Sequence, residues 1–212
     1  MTLKKTCFMF LIGLMAMSAS SFDDQENKYV LPREQIEQSL KINDTILINP
    51  SNVNPNVLIE GEHRYLVYFK KGKDAPRSMT SFWTRTLKRI DYNNKKAISV
   101  EQLWEQNDTI VHTTKSISDA KTMQWLYHDS WWQNVGNSSY DFTKKTANID
   151  GYKLNDSDTL KTRKKSWDGF KASWGQYALN WHLDLEVFPI LPYENGITFG
   201  IPFYDPGFSS PK

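Results

Sequence analysis

The chain of 212 residues contains a single cysteine, Cys7. One thiol excludes an internal disulfide, and its place near the start removes cysteine catalysis from the mature chain as read below. Histidine is scarce as well: His63, His112, His128 and His182 are the only four. None of them falls in the His-Glu-x-x-His spacing of a helix-borne zinc site. A glycine-rich phosphate loop and the Gly-x-Ser-x-Gly elbow are both missing. Beyond residue 20 no apolar run nears the roughly 20 residues that a spanning helix needs. An excess of one charge is missing too. The sequence has 26 basic and 24 acidic residues, and once Lys4 and Lys5 leave with the leader, 24 of each remain. A balanced chain has no large basic field to draw nucleic acid or an anionic membrane. The one basic run noted, Lys161, Arg163, Lys164 and Lys165, reads as a solvated strand end or loop. These absences predict a non-enzymatic chain without metal, cofactor or nucleic-acid partner, and without a transmembrane segment after the leader.

What is present begins with that leader. Lys4 and Lys5 are followed by an apolar stretch from Cys7 to Met17, broken only by Gly13, and then by the small residues Ser18 to Ser21. This order is that of a cleavable secretory signal peptide over residues 1–20. The apolar part is too short to span a bilayer. Cys7 precedes the apolar core, so it does not stand where a lipid-anchoring cysteine would. The expected location is the periplasm or the exterior, and about 192 residues then remain for one domain.

Residues 21–57 read as a flexible or partly ordered segment, with a short helix over Pro32–Leu40 and a β-prone run at Thr45–Ile48. Residues 58–212 read as a β-rich domain. Within Glu62–Lys71, His63, Tyr65, Val67 and Phe69 alternate against Arg64, Leu66, Tyr68 and Lys70. Further strands are predicted at Met79–Ile90, Ala97–Trp104, Thr109–Ile117 and Met123–Trp131, with turns at 91–94, 107–108 and 119–121. Ser139–Lys144, Asn148–Leu154, Thr159–Lys164 and Ile197–Tyr204 complete the set. Residues 181–188 fit a strand by alternation and a helix by the spacing of Trp181, Leu185 and Phe188. The Asp205-Pro206-Gly207 turn leaves little chain for a partner strand. The ending therefore fits either a final strand already paired inside the sheet or a chain truncated at its C-terminus.

Candidate chemistry is thin. His182, Asp184 and Glu186 share a face as possible metal ligands, but the same pattern is the polar side of an amphipathic segment. His128, Asp129 and Ser130 invite a hydrolase reading, yet adjacent strand residues point to opposite faces, so His128 is placed at a turn before an aromatic-rich core. Sequons stand at Asn43, Asn107, Asn137 and Asn155. Asp-Thr-aliphatic triplets at Thr45, Thr109 and Thr159 resemble a periplasmic O-glycosylation signal. The stronger lead is aromatic: 14% of the residues are Phe, Trp or Tyr, and eight are tryptophan. Trp83, Trp104, Trp125, Tyr127, Trp131 and Trp132 lie on or near the predicted strands. They either fill an ordinary β core or line a concave surface for a hydrophobic or amphiphilic small molecule.

Glu60-Gly61-Glu62 before Tyr65–Tyr68, Tyr127–Ser130 after a threonine-rich hairpin, Tyr140-Asp141-Phe142, and Leu191-Pro192-Tyr193 before Gly196–Phe199 carry a resemblance. It spans Ile59 to Gly207 and points to uncharacterised periplasmic proteins of Bacteroides type, a domain-of-unknown-function class similar to the half-open barrels of LolA and LolB. The resemblance implies a mainly β fold: one curved antiparallel sheet, with one or two short helices, wrapped around a helix at residues 182–190 and holding acyl chains. A lipid-binding role in the periplasm is the expectation. The alternatives are a glycan-binding protein or a structural part of the cell envelope.

Overall fold

The computed structural model describes residues 45–206. The chain divides into the units Met1–Lys41 and Ile42–Lys212, and the described residues belong to the second. The signal peptide, the Pro32–Leu40 helix and the Asn43 sequon lie outside them.

Eight strands form one antiparallel meander in chain order. They are β2 (Gly61–Phe69), β3 (Ser78–Tyr92), β4 (Lys95–Gln106), β5 (Thr109–Asp119), β6 (Trp125–Trp132), β7 (Gly136–Asp141), β8 (Thr146–Ile149) and β9 (Tyr152–Lys153). The sheet is open, with β2 and β9 as its edges. Two-residue turns set the register. Asn93-Asn94, Asn107-Asp108 and Asp150-Gly151 all take positive φ at both positions, the conformation whose twist matches the strands it joins. The Asp150-Gly151 turn splits the predicted Asn148–Leu154 strand into β8 and β9. Gly136 is required where β7 begins. A Cβ there would lie 2.2 Å from Asp150 Oδ1, which accepts from the Asn137 amide at 2.8 Å.

The prediction of a strand at Thr159–Lys164 is corrected: the chain forms helix α1 (Lys161–Ala172) there. The helix covers its end of the sheet by setting Trp167 and Phe170 against Tyr140, Ala147 and Leu154. Residues 181–190 are helical, as the resemblance implied. Two 3-10 turns, Trp181–Leu183 and Phe188–Ile190, flank the short helix α2 (Asp184–Val187). The final strand is also corrected. It is two pieces outside the meander: β11 (Thr198–Gly200), parallel to β1 (Thr45–Leu47), and β12 (Phe203–Tyr204), parallel to β10 (Leu179–Asn180).

These outer segments lie on one face of the sheet. Ile48, Leu179, Leu183, Val187, Ile190 and Leu191 pack on Leu87, Ile98, Val100 and Met123 there. Burying each such aliphatic side chain contributes about 1.5–3 kcal/mol. A smaller cluster, Ala97, Ile117 and Leu126 with Tyr92 and Tyr127, lies apart from it. No helix among the described residues is long and apolar enough to cross a membrane.

Candidate functional site

Strand pairing fixes which aromatic residues meet. Tyr65 stands opposite Trp83, Trp83 opposite Trp104, Trp104 opposite His112, and His112 opposite Trp132. A register shift in the β4–β5 pair follows Trp104; such a bulge re-aims neighbouring side chains. The result is a ladder across four strands. Trp83 and Trp104 stack at 3.9 Å with 5° between their planes. His112 and Trp132 stack at 3.6 Å. The two stacks meet edge-on, with Trp104 and Trp132 at 5.4 Å and 85°. Trp83, Trp104 and Trp132 are half-buried, and none belongs to the apolar clusters.

Two residues along each strand lies a second row, Arg85–Gln102–Thr114–Ser130. Arg85 is only 1% exposed. Its guanidinium forks onto both oxygens of Glu186, and also donates to Asp184 Oδ1 at 3.3 Å and to the His182 carbonyl at 2.8 Å. Burial raises the Glu186 carboxyl above its ordinary value, and the Arg85 charge pulls against that rise. Gln102 donates to the same His182 carbonyl and accepts from Trp104 Nε1 at 3.2 Å. The ladder is thereby tied to the helical segment beneath it.

A third row brings in Ser116 and His128. Asn180 Nδ2 donates to Ser116 Oγ at 2.8 Å, and that hydroxyl lies 2.9 Å from His128 Nδ1. With Ser116 Oγ accepting from Asn180, its own proton is free to go to His128 Nδ1. Asn180 Oδ1 also accepts the His182 amide at 2.7 Å. The His182 ring stands 4.8 Å from that of His128 and 5.6 Å from that of His112. His182 Nε2 is 3.3 Å from Asp205 Oδ1, within ion-pair reach but not angled for a hydrogen bond. His112 Nδ1 donates to the Trp131 carbonyl at 2.7 Å. Its buried Nε2 has no partner among the described residues. Burial, helped by the neighbouring His182, lowers His112 to about 3 and carries His128 well below its ordinary value. Both rings are neutral at physiological pH. Ser116 and His128 are 0% and 1% exposed, so this serine–histidine contact is buried away from solvent.

The six predicted aromatic residues thus separate. Trp83, Trp104 and Trp132 come together in the ladder. Trp125 is 3% exposed and belongs to the core with Ala178, Tyr204 and Phe142. Tyr127 and Trp131 alternate to the opposite face. There Tyr127 donates to Asp129 Oδ2 at 3.4 Å, and burial and the Asp129 charge push its hydroxyl up to about 12. That face holds an open groove of about 400 Å³ lined by Glu62, Thr84, Thr86, Glu101, Lys115 and Asp129 among others. The placement of His128 at a turn is corrected: it lies inside β6 and is buried. Asp184 and Glu186 hold Arg85 while His182 turns towards Asp205. Among the described residues no group of three His, Cys, Asp or Glu is arranged to hold a metal ion.

Arg85, Gln102, His112, Ser116 and Asn180 were not singled out in the sequence. The usable signal was the Asn107-Asp108 turn. It sets Gln106 opposite Thr109, and the register shift after Trp104 then moves the partner of Gln102 from Thr113 to Thr114. What hid the site is its polarity, because threonine, serine and histidine at alternate positions read as a solvent face.

No curated protein and no solved structure matches the chain significantly. Residues 64–211, which include every strand of the ladder and both helices, match the family model described as protein of unknown function (DUF3108), and the chain belongs to that family.

Proposed function

We propose that this chain is an exported, non-enzymatic binding protein that holds a hydrophobic or amphiphilic ligand along the aromatic ladder, in the manner of the LolA and LolB half-barrels. The leader-like first 20 residues support export, and the resemblance suggests a periplasm of Bacteroides type as the destination. The observation that carries the reading is the Trp83–Trp104 stack joined edge-on to Trp132, outside the apolar core. Stacking covers one face of each indole, so the ladder offers aromatic edges and a narrow apolar strip. A linear acyl chain can lie along such a strip. The sealed Ser116–His128 contact offers no reacting group a route to solvent, which supports a binding role over catalysis. The open sheet with a helical segment on one face supports the carrier-like shape. Native mass spectrometry of mature protein purified from the periplasm tests the reading. A non-covalent adduct of lipid mass, lost on denaturation, is expected; a bare chain that also fails to take up added acyl chains after delipidation contradicts it.

A second reading rests on the opposite face. The groove of about 400 Å³ there is lined by threonine hydroxyls and carboxylates, groups suited to a glycan. Saturable binding of a soluble oligosaccharide, abolished by Thr86→Val with Glu101→Ala and indifferent to Trp83→Ala, would select it.

A further inference from the structure

The β2–β3 hairpin stands apart from the rest of the sheet. Strand β4 pairs with β3 only between Phe82 and Tyr92, while β2 pairs with β3 as far as Phe69 and Ser78. β4 ends at Gln106, so residues 78–80 of β3 extend past it by about 10 Å, at roughly 3.3 Å per residue, and the loop 70–77 extends further. The hairpin bends where it leaves the sheet, at a register shift between Val67 and Phe69 beside Met79, whose φ is 52°.

This finger is apolar on both of its faces. Tyr68 and Phe69 follow one another on β2, point to opposite sides and are 38% and 53% exposed; Met79 is 44% exposed, and Leu66 and Phe82 at the base of the finger are 51% and 43% exposed. Its tip is basic: Lys70, Lys71, Lys73 and Arg77 stand against Asp74 alone. None of these cations forms an ion pair with a described residue, and Arg77 lies over the Tyr68 ring at 4.6 Å. The turns β4–β5 and β6–β7 reach the same end of the sheet, carrying exposed Ile110 and Val135. Zero net charge for the mature chain thus hides a local surplus of three positive charges within residues 70–77.

We infer that the β2–β3 finger docks the protein on an anionic lipid surface, its lysines meeting lipid phosphates and its apolar side chains entering the interface. A protein partner would cover one face of a hairpin. An interface that surrounds the finger accounts for apolar side chains on both faces at once, and the cations at the tip supply the charge complementarity. The inference is independent of the ladder's ligand.

The test is sedimentation of the mature full chain with vesicles of phosphatidylcholine alone or mixed with phosphatidylglycerol. The protein is expected to sediment with the anionic vesicles and to be released by high salt. Lys70→Glu, Lys71→Glu and Lys73→Glu together should weaken partitioning on the order of a hundredfold, with Phe69→Ser weakening it less and circular dichroism unchanged. Trp83→Ala should sediment as the parent does. No sedimentation, equal sedimentation with neutral vesicles, or a charge-reversed hairpin that binds like the parent would each overturn the inference. Loss of sedimentation in Trp83→Ala alone would move the lipid contact to the ladder and overturn it as well.

Discussion

Leu87 and Arg85 sit two residues apart on strand β3 and face the same way, and the helical segment lies over both. Above Leu87 it presents Leu183, Val187 and Ile190. Above Arg85 it presents Glu186, Asp184 and the carbonyl of His182. The first half is held by shape and the removal of apolar area from water, which tolerates exchange among side chains of similar volume. The second half is held by directed bonds among groups that cannot reach water, where one missing partner costs more than the bond itself contributed. The apolar half attaches the segment; the polar half fixes which residues of the segment meet the ladder.

The largest effect should come from breaking the polar half on one side only. Arg85→Met leaves Glu186 buried beside Asp184 without its cation and should cost about 3–5 kcal/mol in urea unfolding. Adding Glu186→Leu to it should recover most of that loss, because the buried charge is then gone. In the apolar half, Leu183→Ala should cost about 2–5 kcal/mol through lost burial and a cavity, and no second substitution of charge should restore it. Acidification separates the halves next. His112 and His128 bind protons less readily folded than unfolded. The unfolded chain therefore takes up more protons below about 6.5, the ordinary value, and stability falls with pH from there towards about 3. The slope reaches up to about 1.4 kcal/mol per pH unit for each histidine. Denaturation midpoints across that range should show the fall, and His112→Phe should flatten it. Phe69→Ser in the projecting finger should be the smallest change, within about 0.5 kcal/mol.

The same contrast explains what the sequence made legible. The strands Gly61–Trp132 follow from alternation and from turn residues at Asn93-Asn94 and Asn107-Asp108, which are local signals. Helix α1 was missed because Thr159–Lys164 is polar; its anchoring residues Trp167 and Phe170 come later, past the run that looked like a strand. The parallel pairs β1–β11 and β10–β12 join residues far apart in sequence, and no short pattern announces such a pairing. Half of the site was visible as tryptophan. The half that holds it was not, since Thr114, Ser116, His128 and Ser130 on the covered face carry a pattern that elsewhere marks exposure to water. The Lys70–Arg77 tip escaped because a balanced total charge masks a local surplus.

Tryptophan quenching by a brominated fatty acid, titrated into delipidated protein, bears most directly on the ladder as a ligand site. The account predicts saturable quenching that falls sharply in Trp83→Ala, which leaves the core residue Trp125 in place. Quenching that never saturates, or that is unchanged in Trp83→Ala, would contradict it.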